Sequence, residues 1–333
     1  MRRPRLLATV LATAVAAGMT LTGCTSAAPD EAASGDGAWS YTSGDGKTYT
    51  ADEVPTRIIA HSYAAKVLME FGIKPVGIYA DGDIDSDVGL QGADFEGIEI
   101  LGEEWGKIDV EKAAGLAPDL IVGDWWPAEG GYSGLEDGVE ESSKKLAELA
   151  PVVGAAQGDS IVGLIEDYAE LAESLGADTS VIDEQRAEFD TAVEEFEAAV
   201  AAKPGLTALA ISPYEDTYAV AVPEYAPELL DLQSWGLDVI DPAKPDPEFP
   251  YWESLSFENA DTYQPDVLLF DDRSYPANQE TLDAQPIAKD ITAYAAGAYT
   301  SWPAYWLHTY PDYTEQLRNL TDFVNEADEN LTD

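Results

Sequence analysis

The feature that most constrains this chain is a faint copy of itself. At an offset of 147 positions, Trp105, Glu111, Ala113, Pro118, Asp119 and Asp124 recur as Trp252, Glu258, Ala260, Pro265, Asp266 and Asp271. Apolar positions keep the same register: Ile108 with Leu255, Val110 with Phe257, and Leu120-Ile121-Val122 with Val267-Leu268-Leu269. In each copy the pattern predicts a helix capped by Asp109 or Ser256, a Pro-Asp turn that stops it, and a buried strand after the turn. Two copies of one unit predict two similar lobes, and a cleft between domains is a favoured place for a ligand.

Local patterns agree with the repeat. From Pro55 onward, short β-type runs alternate with helical stretches: Arg57 to Ala60, Val76 to Tyr79, Leu120 to Val122 and Val152-Val153. After Pro204 the alternation returns with Leu206 to Ile211, Tyr218 to Val222, Val239-Ile240 and Val267 to Phe270. This is the βαβ grammar of a parallel sheet with helices on its faces, so the expected fold class is α/β with a parallel sheet in each lobe. Between the halves, Ile182, Phe189, Val193, Phe196 and Val200 share one helical face, Asp178 or Thr179 can cap the start, and Pro204-Gly205 stops it. A helix of that length spans about 33 Å, enough to bridge two lobes, although the same pattern fits a helix packed within one. The expected organisation is therefore an N-terminal α/β lobe over 52–178, a linking helix over 179–203 and a C-terminal α/β lobe over 204–333.

The first segment bears on location. Arg2, Arg3 and Arg5 precede an uncharged apolar run from Leu6 to about Leu21, which is too short for a spanning helix and reads as a signal peptide over 1–23. The junction Leu21-Thr22-Gly23-Cys24 resembles the lipobox of bacterial lipoproteins. That resemblance implies cleavage before Cys24, acylation of its thiol and anchoring to the outer face of the cell membrane. Cys24 is the single cysteine, so disulfides and cysteine metal sites are excluded. Residues 24–50, rich in Ala, Ser, Gly, Thr and Asp, read as a flexible tether. Seventeen basic residues stand against 64 acidic ones, a net charge of −47 that argues against nucleic acid as a partner. Salt adaptation or solubility accounts for such a surface better than any ligand does.

Three stretches carry a wider resemblance: Val54 to Ala60, Glu70 to Gly77, and Ile108 to Glu111 running on to Pro118-Asp119-Leu120-Ile121-Val122. Together they are similar to the helical-backbone class, class III, of periplasmic-type binding proteins, over residues 52 to about 325. That class serves ABC importers of ferric siderophores, cobalamin and haem. The expected protein is a monomeric receptor rather than an enzyme, with no cofactor of its own. The resemblance implies two lobes on one linking helix, limited closure on binding, and delivery to a permease dimer with its ATPase. One carboxylate on the outer face of each lobe would dock onto the permease. The matching positions are Glu111 in Asp-Val-Glu-Lys and Asp231 in Leu-Leu-Asp-Leu, where Asp replaces the usual Glu. Either is equally readable as a solvated carboxylate on a helix face.

In parallel α/β sheets ligands meet the loops that leave the carboxyl ends of strands. Those loops nominate His61 and Tyr63, Tyr79, and Trp125-Trp126 in the first lobe. In the second lobe they nominate Tyr214, Arg273, Tyr275 and Trp302, with Trp252 less directly placed. Rings give a large, stiff, amphipathic contact that suits a bulky, partly apolar chelate. Trp105 and Trp252 occupy matched repeat positions, which favours a shared structural job in the core. Arg273 is the lone cation on a predicted cleft loop; it either donates to iron-bound oxygens of a chelate or pairs with Asp271 or Asp272 beside it. A tris-catecholate complex is highly anionic and needs several cations. A neutral or cationic chelate, hydroxamate-like, is therefore the favoured ligand.

Other classes fit less well. A zinc or manganese receptor needs about three histidines with a carboxylate, and only His61 and His308 exist. Haem stays open because His61, Tyr63 or Tyr214 can supply an axial ligand, and cobalamin suits the aromatic loops. Gly131-Tyr132-Ser133-Gly134 falls one position short of a nucleophile elbow, which argues against a secreted enzyme. The Asp81 to Asp87 run has Ser86 where a calcium loop needs Gly, and Gly92 where it needs Glu, so it reads as an acidic surface loop.

Overall fold

Continuous apolar runs of three or four residues fold as strands buried on both faces, and here they build two sheets. The computed structural model describes residues 38–332. The first half comprises β1 (Trp39–Thr42), β2 (Thr48–Ala51), β3 (Ile58–His61), α1 (Ser62–Glu70), β4 (Gly77–Ala80), β5 (Glu99–Glu103), α2 (Val110–Gly115), β6 (Leu120–Val122), β7 (Trp125–Trp126), β8 (Gly131–Tyr132), α3 (Glu141–Lys144), β9 (Val152–Val153) and α4 (Ile161–Ser174). The 21-residue helix α5 (Val181–Ala201) follows. The second half comprises β10 (Thr207–Tyr214), β11 (Thr217–Ala221), α6 (Pro227–Ser234), β12 (Asp238–Val239), β13 (Trp252–Ser256), β14 (Val267–Asp271), α7 (Tyr275–Asp283), α8 (Thr292–Ala296), β15 (Tyr299–Trp302) and α9 (Tyr310–Glu326).

The first sheet is parallel throughout, in the order β5-β4-β3-β6-β9. Alternation sorts its side chains: Ile58, Ala60, Ile78, Leu120 and Val122 face the main core, while Ile59, Tyr79, Leu101 and Ile121 face a separate outer cluster that includes Ala113 of α2. The second sheet, β13-β11-β10-β14-β15 with β12 beside β10, is mixed rather than parallel as expected. Its β11 runs antiparallel to both β10 and β13. Loop length is the reason: only Glu215 and Asp216 join β10 to β11, far too few for a crossover, so the chain turns back as a hairpin.

The helix α5 lies where the heptad-like apolar spacing predicts it, with Phe189, Phe196 and Val200 buried and Ile182 and Val193 packed at the margin. It packs along α9, its Phe189 ring 5.2 Å from Tyr310 and 4.9 Å from Tyr313 between centroids. One buried cluster runs through α1, α4, α5, α6 and α9, so both halves share a core.

The repeat has a common footing. Asp119 accepts from the backbone N–H of Thr56 and Arg57 at 3.0 and 2.8 Å, clamping the start of β3. Asp266 accepts from Thr207 N at 3.0 Å and clamps β10 in the same way. The copies differ just upstream. Asp109 caps α2 by accepting from Lys112 N at 2.9 Å, whereas Ser256 makes no such bond and the second copy has only a single 3-10 turn, Phe257–Asn259.

The expected tether over 24–50 requires correction at its far end. Strands β1 and β2 pair antiparallel from Trp39↔Ala51 to Thr42↔Thr48, with Trp39 and Tyr41 buried and the Trp39 indole bonded to Ser174 Oγ at 3.0 Å. Two rings alternating with Ser40 and Thr42 suffice to bury one face of a short strand, a period-two signal hidden by the polar composition around it. The expected signal peptide, Cys24 and the tether up to residue 37 lie outside the described residues. Among the described residues, no helix is long and apolar enough to cross a membrane.

Candidate ligand-binding cleft

Loops at the carboxyl ends of strands in both sheets border one cleft of about 590 Å³, within the range usual for small-molecule sites. The first half contributes His61 at the end of β3, Tyr63 in the first turn of α1, the 81–88 loop after β4, and Trp105 after β5. The segment following β6 adds Trp126, Glu129, Ser133 and Glu136. From the second half come Phe249, Tyr251, Trp252, Arg273, Ser274 and Tyr305.

Tyr305 is the hub of the aromatic floor. Its centroid lies 6.1 Å from Trp126, 6.1 Å from Tyr251 and 6.3 Å from Trp252. Its backbone φ of 63° is a strained conformation for a side chain of this size, so the surroundings must enforce it. Two carboxyl groups do so. Glu228 Oε1 accepts from Tyr305 N at 2.7 Å, and Asp272 accepts from Ala304 N at 3.2 Å and from the Trp306 indole at 2.9 Å. Burial pushes Glu228 up to about 8 and Asp272 up to about 7.

Charges are arranged differently on the two sides. Arg273 donates through Nε to Asp271 Oδ1 at 3.0 Å and through Nη2 to Oδ2 at 2.7 Å, and its guanidinium carbon sits 5.0 Å from the Tyr305 centroid. Burial opposes its charge, but Asp271 outweighs it and the guanidinium pKa is raised. The pairing expected as the alternative to ligand binding is thus present, and Arg273 still lines the cleft, with Nη1 donating to no group among the described residues. On the first side, Asp124 is 1% exposed and accepts from His308 Nε2 at 2.9 Å, Gln157 Nε2 at 3.0 Å and the Tyr168 hydroxyl. Burial works to raise Asp124, yet His308 and the hydrogen bonds hold it below the usual carboxylate range. His61 is buried against the cleft with Nε2 3.3 Å from Asp81. Burial disfavours a charged ring there, but Asp81, Asp124 and Glu136 together raise its pKa.

Of the residues expected at the site, His61, Tyr63, Trp126 and Arg273 line the cleft. Tyr214 lies in an adjoining groove with Ser212, Asn278 and Arg273. Four do not reach it, and alternation explains most of them. Tyr79 faces the outer cluster of the first sheet and donates to Ser133 O at 3.0 Å. Trp125 turns away from Trp126 and packs on Tyr132 across the β7–β8 ladder, with centroids 5.0 Å apart. Tyr275 begins α7 and packs on Phe270, while Trp302 is fully buried at the end of β15. Conversely Trp105, 46% exposed, lines the cleft instead of the core, and Trp252 lines it while also packing against the main core. The 81–88 loop is a cleft wall rather than a mere surface loop. Tyr251, Tyr305, Glu129 and Glu136 carried no periodic signal, and the chain reaches them through loops. Glu111 stands exposed in the first turn of α2. Asp231 is a correction: it is buried, accepting from Ile161 N and from the Tyr313 hydroxyl, both at 3.0 Å, and offers nothing to an external partner. Among the described residues no cluster of three or more metal-ligating side chains occurs.

The family model described as periplasmic binding protein matches residues 82–305. The solved structure of DesE, a ferric-siderophore receptor from Streptomyces coelicolor, aligns with a TM-score of 0.77 at 30% identity, covering 87% of this chain and 99% of that one. A siderophore periplasmic binding protein from the fuscachelin gene cluster of Thermobifida fusca aligns with a TM-score of 0.58 at 22% identity, covering 81% and 96%. FhuD2 from Staphylococcus aureus, solved with bound ferrioxamine B, aligns with a TM-score of 0.56 at 18% identity, covering 81% and 98%. A comparison with curated protein sequences finds no match. With two thirds of its length covered by the family model and nearly all of a receptor aligned to it, the chain belongs to the periplasmic binding protein family.

Proposed function

We propose that this chain captures a ferric siderophore of hydroxamate type in the cleft between its halves and hands it to an ABC permease dimer driven by its ATPase. It is a binding protein, acts outside the cytoplasm and transforms nothing. The observation that carries the ligand reading is the cleft lining: among the described residues, an aromatic floor around Tyr305, six carboxylates and a single arginine or lysine, Arg273. A polyanionic tris-catecholate or polycarboxylate chelate would meet repulsion from Asp81, Asp83, Asp87, Glu129 and Glu136, with one already paired arginine to offset it. A neutral or cationic hydroxamate complex meets aromatic faces and one guanidinium donor. The ferric-siderophore receptor from Streptomyces coelicolor, aligned over 87% of the chain, supports the ligand class. Haem is the rival that one observation favours, because the cleft residue His61 turns a ring to the cleft whose Nδ1 has no hydrogen-bond partner among the described residues, while Nε2 faces Asp81.

Native mass spectrometry with a panel of ferric hydroxamates, a ferric tris-catecholate, haem and cobalamin decides among these, with tryptophan quenching for affinity. Hydroxamate binding is the expected result; selective capture of the tris-catecholate or of haem overturns it.

For delivery, Glu111 and its repeat mate Glu258, both exposed, replace the pairing of Glu111 with Asp231 as the candidate docking carboxylates. Changing both to Ala is expected to abolish uptake while leaving solution affinity unchanged. For anchoring, Cys24→Ala is expected to leave the protein unprocessed or released from the membrane, as fractionation would read.

A further inference from the structure

The carboxylates of the cleft are not spread evenly, and one of them is unusual. Glu136 is 7% exposed, its Oε1 accepts from the Trp105 indole at 2.7 Å, and its Oε2 has no hydrogen-bond partner among the described residues. A buried charged oxygen left unpaired is costly, and native proteins keep such groups where something else satisfies them. Beside it, Glu129 lines the same wall next to Tyr251, whose hydroxyl pKa is raised by burial first and by the neighbouring Glu129 carboxylate second. Burial raises both carboxyl groups, and at Glu129 the Glu136 charge adds to it. Two half-exposed rings, Trp105 at 46% and Phe249 at 52%, complete the same stretch of cleft. The cleft's cation does not reach this charge, because Arg273 is engaged by Asp271. Among the described residues no lysine lines the cleft.

Two neighbouring carboxylates, one with an unpartnered buried oxygen, next to exposed aromatic faces, match one chemistry. An ammonium group has three donors for oxygens, and its charge is attracted to ring faces. From this wall we infer that the cleft contains a subsite, formed by Glu136, Glu129, Trp105 and Phe249, for a primary ammonium group carried at the periphery of the ligand. The inference rests on the chelate reading above and sharpens it: the receptor selects chelates with a cationic arm over otherwise identical neutral ones.

The test uses the full soluble protein and two probes, a ferric linear trihydroxamate ending in a primary amine and the same chelate N-acetylated at that amine. Titration of wild type by tryptophan quenching is expected to favour the amine by about tenfold or more, the worth of a charge-assisted bond in a partly desolvated site. Glu136→Gln keeps an acceptor for the Trp105 indole and is expected to collapse that ratio toward one. Glu129→Gln, on an exposed residue, is expected to reduce the ratio less and serves if the buried substitution impairs folding. Equal affinities of wild type for the two chelates overturn the subsite while leaving the chelate reading standing. A ratio that stays unchanged in both variants also overturns it. Failure of both chelates to bind overturns the hydroxamate reading and the subsite with it.

Discussion

Asp124 and Asp271 are repeat mates at the carboxyl ends of equivalent strands, and they have come to do different work. Asp124 receives His308, which lies 184 residues away in the carboxyl-terminal segment, together with Tyr168 and Gln157. Asp271 receives Arg273, two residues on, and Ser212 Oγ at 3.2 Å. The first carboxylate therefore fastens one half of the chain to the other beneath the cleft, and the second holds a cation at the cleft surface. At the opposite strand ends, Asp119 and Asp266 kept one shared role, clamping the start of the neighbouring strand. The two copies agree at the end of the sheet where these carboxylates only stabilise and differ at the cleft-facing end, which is where α/β folds place their sites.

The largest expected effect lies at the fastening. Asp124→Ala leaves His308, Tyr168 and Gln157 buried without their acceptor, and breaking such a network should cost about 3–5 kcal/mol in denaturant unfolding. A loss below about 1 kcal/mol would show that His308 is not a structural tie. At the repeat mate the expected loss is in binding. Arg273→Ala should weaken affinity for a ferric hydroxamate by one to two orders of magnitude, from about 1.5–3 kcal/mol of charge-assisted bonding, and Arg273→Lys should recover only part of it. Equal affinities for all three proteins would reduce Arg273 to a partner of Asp271. Because Arg273 keeps 39% of its side chain exposed and can turn to water, Asp271→Ala should cost only about 1 kcal/mol of stability while still lowering affinity.

Acid titration separates the two sides further. Glu228, raised to about 8, and Asp272, raised to about 7, hold protons in the folded state that the unfolded chain has released. Their contribution to stability is therefore lost as pH rises from about 4.5 to 8. Asp124, held below its usual range, is ionised throughout that window and contributes no slope there. The melting temperature should fall between pH 5 and pH 8. Glu228→Gln, which keeps an acceptor for Tyr305 N, should flatten the fall and raise the melting temperature at pH 8 by a few degrees, roughly 1–2 kcal/mol. A variant with the wild-type slope would place the titration elsewhere.

Patterns confined to a few neighbouring residues were enough for the architecture. Runs such as Leu120-Ile121-Val122 determined strands buried on both faces, the spacing from Phe189 to Val200 determined the long helix, and the 147-residue echo determined that the chain is built twice. Arg273 was legible because it alone combined a positive charge with a strand end. What tertiary structure decided was which face each of those residues met. Alternation sent Tyr79 to an outer cluster and split Trp125 from Trp126, and one hairpin of two loop residues reversed a strand expected to run parallel. Asp231 looked like a surface acid until the start of α4 and Tyr313 of α9 closed over it. Trp105, Glu136, Tyr251 and Tyr305 come from loops spread over 200 residues and share one cleft only because two sheets bring their carboxyl ends together. Sequence periodicity reports the local environment of a side chain, whereas membership of a cleft depends on contacts between distant loops, and no repeat length encodes those.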